Sequence, residues 1–89
     1  MTTALYSHDV CLDHDPGLGH PECPSRLESI YEVLEGPDFD SLQRKRAPKA
    51  EISILHQMHA PSYVEKTLAA VPIEGYCSLD ADTILSPAS

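Results

Sequence analysis

The sequence predicts an α/β layer architecture with a parallel sheet, incomplete within these residues. Three observations carry that reading: short apolar strand patterns, amphipathic helix patterns alternating with them from the N-terminus, and a helix start near the C-terminus with no helix body after it. A length of 89 residues fits at most one small domain, and a chain of that size buries only about 60% of its unfolded surface. With 42% apolar and 22% charged residues it has the composition of globular material, neither disordered nor coiled-coil.

Thr3 to Ser7 reads as a first, buried strand with Ala4, Leu5 and Tyr6 at its centre. Between Asp13 and Pro24 the chain holds three prolines and two glycines, which exclude regular structure and demand shaped turns. The loop is therefore set at 13–25. Ser25 with Glu28 forms a capping-box pattern, and Leu27, Ile30, Tyr31 and Leu34 follow at i, i+3, i+4 and i+7, so a helix is expected over 25–35, ended by Gly36-Pro37.

Leu42 to Ala47 is consistent with a second, more exposed strand, and Glu51 to His59 with a short helix. Ser62 and Glu65 repeat the capping-box pattern, and Val64, Leu68 and Val71 give a helix over 62–71 that Pro72 halts. Residues 74–87 read as a loop. Ser86-Pro87 then sets a capping residue before a proline suited to the first helical position. With at most two strands and an announced helix, the expectation is a truncated chain, a single segment over 1–89.

Charge narrows the partners. Six basic against fourteen acidic residues give a net charge of −8, which repels a phosphate backbone and argues against nucleic acid. Arg44, Lys45, Arg46 and Lys49 cluster without interleaved aromatics, the pattern of a solvated edge. No apolar run reaches the roughly 20 residues needed to cross a bilayer, so no membrane partner and a cytoplasmic protein are expected. Cys11, Cys23 and Cys77 are an odd, widely spaced set, unlike a disulfide scaffold.

Potential metal ligands concentrate before the first helix in His8, Asp9, Asp13, His14, Asp15 and His20. Carboxylate and imidazole together suit zinc, iron or manganese, yet Asp13 and Asp15 precede Pro-Gly, where aspartate initiates turns by binding its own backbone. Cys11, His20 and Cys77 are low-ranking candidates for a structural zinc if a fourth ligand joins them; otherwise each cysteine is a small buried apolar residue. Asp80 and Asp82 fit a turn with Thr83 better than a proton-sharing pair. His59, before Ala-Pro-Ser, fits a packed corner where its ring satisfies loop backbone groups. There is no nucleophile elbow and no dinucleotide fingerprint.

The stretch from His14 to Leu27, with His20-Pro21-Glu22-Cys23-Pro24-Ser25-Arg26 at its centre, resembles the H-P-E-x-P-x-R loop that opens class II histone deacetylases and the bacterial acetylpolyamine amidohydrolases. Met58-His59-Ala60-Pro61-Ser62-Tyr63-Val64 resembles that family's hydrophobic-His-x-x-x-Tyr segment. Leu79 to Pro87 resembles its D-x-D-T-x-x-S-P segment. All three stand in family order.

The resemblance implies the N-terminal portion of an arginase-like fold whose catalytic zinc, held by two aspartates and a histidine, activates water against the carbonyl of an acetylated amine, acetyl-lysine or acetylpolyamine. In that family the ligands lie in a D-x-H motif and a later Asp, and the proton-transfer groups in a His-His pair; none of these motifs occurs in this chain. The expectation is therefore a zinc hydrolase in parentage and no catalytic residue or catalytic zinc ligand here. His20, Pro21 and Glu22 match positions near the pocket rim, and Arg26 matches an arginine of the inner channel that acetate leaves by, a role suited to a bidentate guanidinium. Some class II relatives also carry a structural zinc near this loop; Cys11, His20 and Cys77 lie in comparable regions with a different spacing. Two alternatives are a stand-alone acidic binding or regulatory module and a small metal-binding protein using the His8 to His20 cluster.

Overall fold

The computed structural model describes residues 1–89. The protein is a small mixed α/β structure with a short parallel sheet. Strand β1 (Ala4–Ser7) leads through a 3-10 helix (Asp9–Asp13) and an irregular loop to helix α1 (Pro24–Leu34). A 3-10 turn (Pro37–Phe39) then precedes strand β2 (Gln43–Arg46). After helices α2 (Ile52–Leu55) and α3 (Pro61–Ala70), strands β3 (Cys77–Ser78) and β4 (Ile84–Leu85) end the order.

β1 and β2 pair in parallel, with Ala4 opposite Gln43 and Ser7 opposite Arg46, so the intervening segment with α1 is the crossover of one βαβ unit. Gln43 N–H donates to the Thr3 carbonyl at 2.9 Å and Ala47 N–H to the Ser7 carbonyl at 2.8 Å, extending the ladder by one bond at each end. β3 and β4 form an antiparallel hairpin, Cys77 facing Leu85 and Ser78 facing Ile84. The span 74–87 is thus more ordered than a loop, and four short strands replace the two expected. Residues this short in strand length escape a period-two reading.

Both longer helices begin earlier than expected. α1 starts at Pro24 with Cys23 as N-cap, and α3 starts at Pro61 with Ala60 as N-cap; neither cap side chain bonds a helix N–H. The Ser25/Glu28 and Ser62/Glu65 capping boxes do not form. Proline's fixed φ and missing N–H place it at the first helical turn, which moves each serine inside the helix. The short helix expected over Glu51 to His59 is limited to α2, with turns beyond it.

Only Pro16, Val64 and Ser86 are buried, so the hydrophobic core is Val64 alone. β1 is not the buried strand expected, because it has one neighbour and Ala4 and Tyr6 stay exposed. On α1 the intended core stripe is half covered: Leu27, Tyr31 and Leu34 are partly buried, while Ile30 remains 53% exposed. The Cα radius of gyration of 15.6 Å exceeds the roughly 12 Å of a compact chain of this length. Apolar faces are formed and left open.

Candidate functional site

Local turn chemistry shapes the loop of residues 14–23. Asp15 accepts the Gly17 N–H through Oδ1 at 3.0 Å, the turn role expected of it. The same reach of two residues recurs at His20, whose Nδ1 accepts the Glu22 N–H at 3.0 Å, and at His8, whose Nδ1 accepts the Val10 N–H at 3.0 Å. Gly17 at φ 109° and Gly19 at φ 78° take conformations that side chains rarely adopt, which lets the chain reverse around buried Pro16.

The loop is fastened to the C-terminal segment. Because Nδ1 of His20 is an acceptor, the ring carries its proton on Nε2, which donates to the Asp82 carbonyl at 2.9 Å. Buried Ser86 accepts the Asp15 N–H on Oγ at 3.1 Å, and the Ser86 N–H donates to Ser89 Oγ at 2.7 Å. His14 Nδ1 lies 2.6 Å from the same Ser89 hydroxyl. Ser89 N–H also donates to the Ser86 carbonyl at 3.0 Å, a first turn begun where the Ser-Pro pair announced one.

Hairpin geometry is set by Asp80. Its carboxylate accepts the Asp82 N–H at 2.9 Å, and its carboxyl is held below the usual range first by that bond and then by the Thr83 hydroxyl. Leu79 N–H closes the turn on the Thr83 carbonyl at 2.8 Å. Asp80 and Asp82 therefore serve the turn.

Glu22, just before α1, and Arg26, in its first turn, are joined in an ion pair, and both are exposed. They edge an open groove of about 500 Å³ between the 3-10 helix, α1 and the C-terminal turn, with Val10, Leu27 and Ile30 among its apolar lining. Pro21 is exposed on the loop. Of the expected rim and channel residues, Glu22 and Arg26 meet, and His20 turns away to hold the hairpin.

No group of three His, Cys, Asp or Glu side chains is placed to hold a metal ion. Cys11, His20 and Cys77 are not gathered, and all three cysteines are free, with Cys11 exposed and Cys23 and Cys77 half-buried rather than fully buried. His8 instead accepts the Val10 N–H, His14 pairs with the Ser89 hydroxyl and His20 accepts the Glu22 N–H. His59 is also exposed, not in a packed corner; its ring lies 5.4 Å from that of Tyr63, one helical turn on. The contributions of Ser86 and Ser89 are absent from the sequence reading, which took Ser86 only as a helix cap; a serine beside a shaped loop gives no signal of its burial.

No family model matches the chain. An uncharacterized protein of Synechocystis sp. is 34% identical over 93 residues, a stretch that takes in 100% of this chain and 30% of that relative. The chain thus spans under a third of the length of the relative it resembles. No helix is long and apolar enough to cross a membrane.

Proposed function

We propose that this chain is the N-terminal portion of a zinc-dependent, cytoplasmic deacetylase of arginase-like fold acting on an acetylated amine, acetyl-lysine or acetylpolyamine. The observation that carries the reading is the junction between the two most specific motif segments. The H-P-E-x-P-x-R loop is bonded to the D-x-D-T-x-x-S-P segment through His20 and Asp82 and through Asp15 and Ser86. The open apolar faces and the much longer Synechocystis relative are consistent with a portion of a larger domain.

The residues present do not fit the catalytic zinc of that family, since no three ligand side chains converge. In this reading the metal and the proton-transfer groups come from elsewhere in a longer protein. This chain's own contribution is the shaped loop and a cation at the groove. Arg26 can exchange Glu22 for a product carboxylate at little cost, because an exposed ion pair is worth about 0–1 kcal/mol.

The test is expression of the reading frame carrying this segment together with whatever follows it, assayed for acetate release from acetyl-lysine peptides and acetylated polyamines before and after zinc chelation. Chelator-sensitive release, lowered by Arg26→Ala at unchanged fold, is the expected result. A frame without a D-x-H motif, or one that releases no acetate from either substrate class, overturns the reading. A sharp, cooperative melt of residues 1–89 alone would then favour the acidic binding module.

A further inference from the structure

We propose that the carboxyl ends of β1 and β2 form a binding site for a small phosphate-type anion. The parallel register sets Ser7 beside Arg46 and Tyr6 beside Lys45, so the segment leaving β1 and the cationic end of β2 arrive together. They line an open pocket of about 280 Å³ formed by Ser7, His8, Asp9, Arg44, Lys45 and Arg46, with no apolar residue among them. That is below the roughly 300–1,000 Å³ of pockets for larger organic ligands, and open parallel sheets bind ligands at their carboxyl ends.

The hydrogen-bond inventory asks for an acceptor there. Val10 N–H occupies His8 Nδ1 at 3.0 Å, which places the ring proton of a neutral imidazole on Nε2. Yet Nε2 faces the Arg46 guanidinium nitrogen at 3.0 Å, so two donors point at one another. An anion oxygen bridging the two groups, which part from their 3.0 Å contact to admit it, accepts from both. Charge agrees: the structure's one ion pair is Arg26 with Glu22, leaving Lys45 and Arg46 without a carboxylate partner. Arg44 is already engaged, donating to the Leu34 carbonyl at the end of α1.

A solvated edge strand explains why these cations are exposed, since charge on an edge discourages pairing with other chains. It does not explain the donor-to-donor contact with His8. Asp9 is the one carboxylate in the lining and subtracts from the site's charge. The site is independent of any deacetylase activity.

The experiment is a titration of the intact protein with inorganic phosphate, followed by amide chemical shifts, against chloride and acetate at matched ionic strength. Saturable shifts centred on Ser7, His8 and Arg46 are expected with phosphate. Arg46→Gln and Lys45→Gln each weaken it about tenfold, the scale of a lost charged hydrogen bond. Asp9→Asn tightens binding, and Lys49→Gln, outside the pocket, leaves it unchanged. Because the chain carries −8 overall, saturation itself marks a local site. Shifts that chloride reproduces, that never saturate, or that survive in both Arg46→Gln and Lys45→Gln overturn the proposal.

Discussion

His20 Nε2 donates to the Asp82 carbonyl at 2.9 Å, bringing together segments 62 positions apart in the chain. The same ring accepts the Glu22 N–H, so a single imidazole both shapes its own loop and holds the hairpin. Replacement separates the two tasks. In His20→Ala both bonds go, and stability falls by roughly 1–2 kcal/mol. His20→Asn keeps an oxygen within reach of the Glu22 N–H but is too short for Asp82. Hydrogen exchange is expected to show the Glu22 amide protected in His20→Asn and exposed in His20→Ala, with the hairpin loosened in both.

Ser86 is 3% exposed and accepts the Asp15 N–H. Removing its hydroxyl takes the acceptor from a part-buried donor, at a cost of about 0.5–1.5 kcal/mol. Denaturant unfolding of Ser86→Ala is expected to show a loss in that range, while Pro87→Ala, at an exposed neighbour, shows far less. Equal effects would remove the role assigned to Ser86.

Acid acts on the hairpin through Asp80. Its folded pKa is depressed below the ordinary 3.8, so its contribution is complete above that value and disappears as pH falls through the lower, folded one. The Asp82 amide, bonded to the carboxylate, reports this directly. Its protection is expected to hold at pH 5 and above and to fall as pH drops below the ordinary carboxylate range. Asp80→Asn, which retains an acceptor oxygen, flattens that dependence.

A short parallel sheet was legible from the alternation of strand and helix patterns, and the proline-ended helices and the turn roles of Asp15 and Asp80 from local chemistry. Tyr6 and Leu5 carry strand propensity, Pro72 stops a helix, and aspartate before Pro-Gly binds its own backbone. The hairpin at Cys77 and Leu85 was not, since strands of two residues have no period to read. Burial was also beyond reach: Leu27 and Ile30 share a stripe, but what covers a stripe is a tertiary matter, and Ile30 stays open. Of the site, Glu22 and Arg26 were read separately, as rim and channel residues, and their ion pair appears only in the structure, since Glu22 lies outside α1. The convergence of His8 with Arg46 depends on strand register, which no local pattern discloses.

Helix starts offer the last prediction, because the sequence twice places serine two residues too late to cap. In Cys23-Pro24-Ser25 and Ala60-Pro61-Ser62 the proline opens the helix, the preceding residue becomes the cap, and that cap's side chain bonds no helix N–H. Ser25 instead lies 3.0 Å from the Cys23 sulfur through its hydroxyl. Ser25→Ala and Ser62→Ala are therefore expected to change stability little. Ala60→Ser and Ala60→Asp place a side-chain acceptor at the start of α3, where the Ser62 N–H lacks one, a gain of about 1 kcal/mol, with the aspartate also favoured by the helix dipole. Amide exchange at Ser62 and Tyr63 gives the local readout. If Ser62→Ala costs as much as Ala60→Asp gains, serine is the true cap and the helix begins two residues later than its proline indicates.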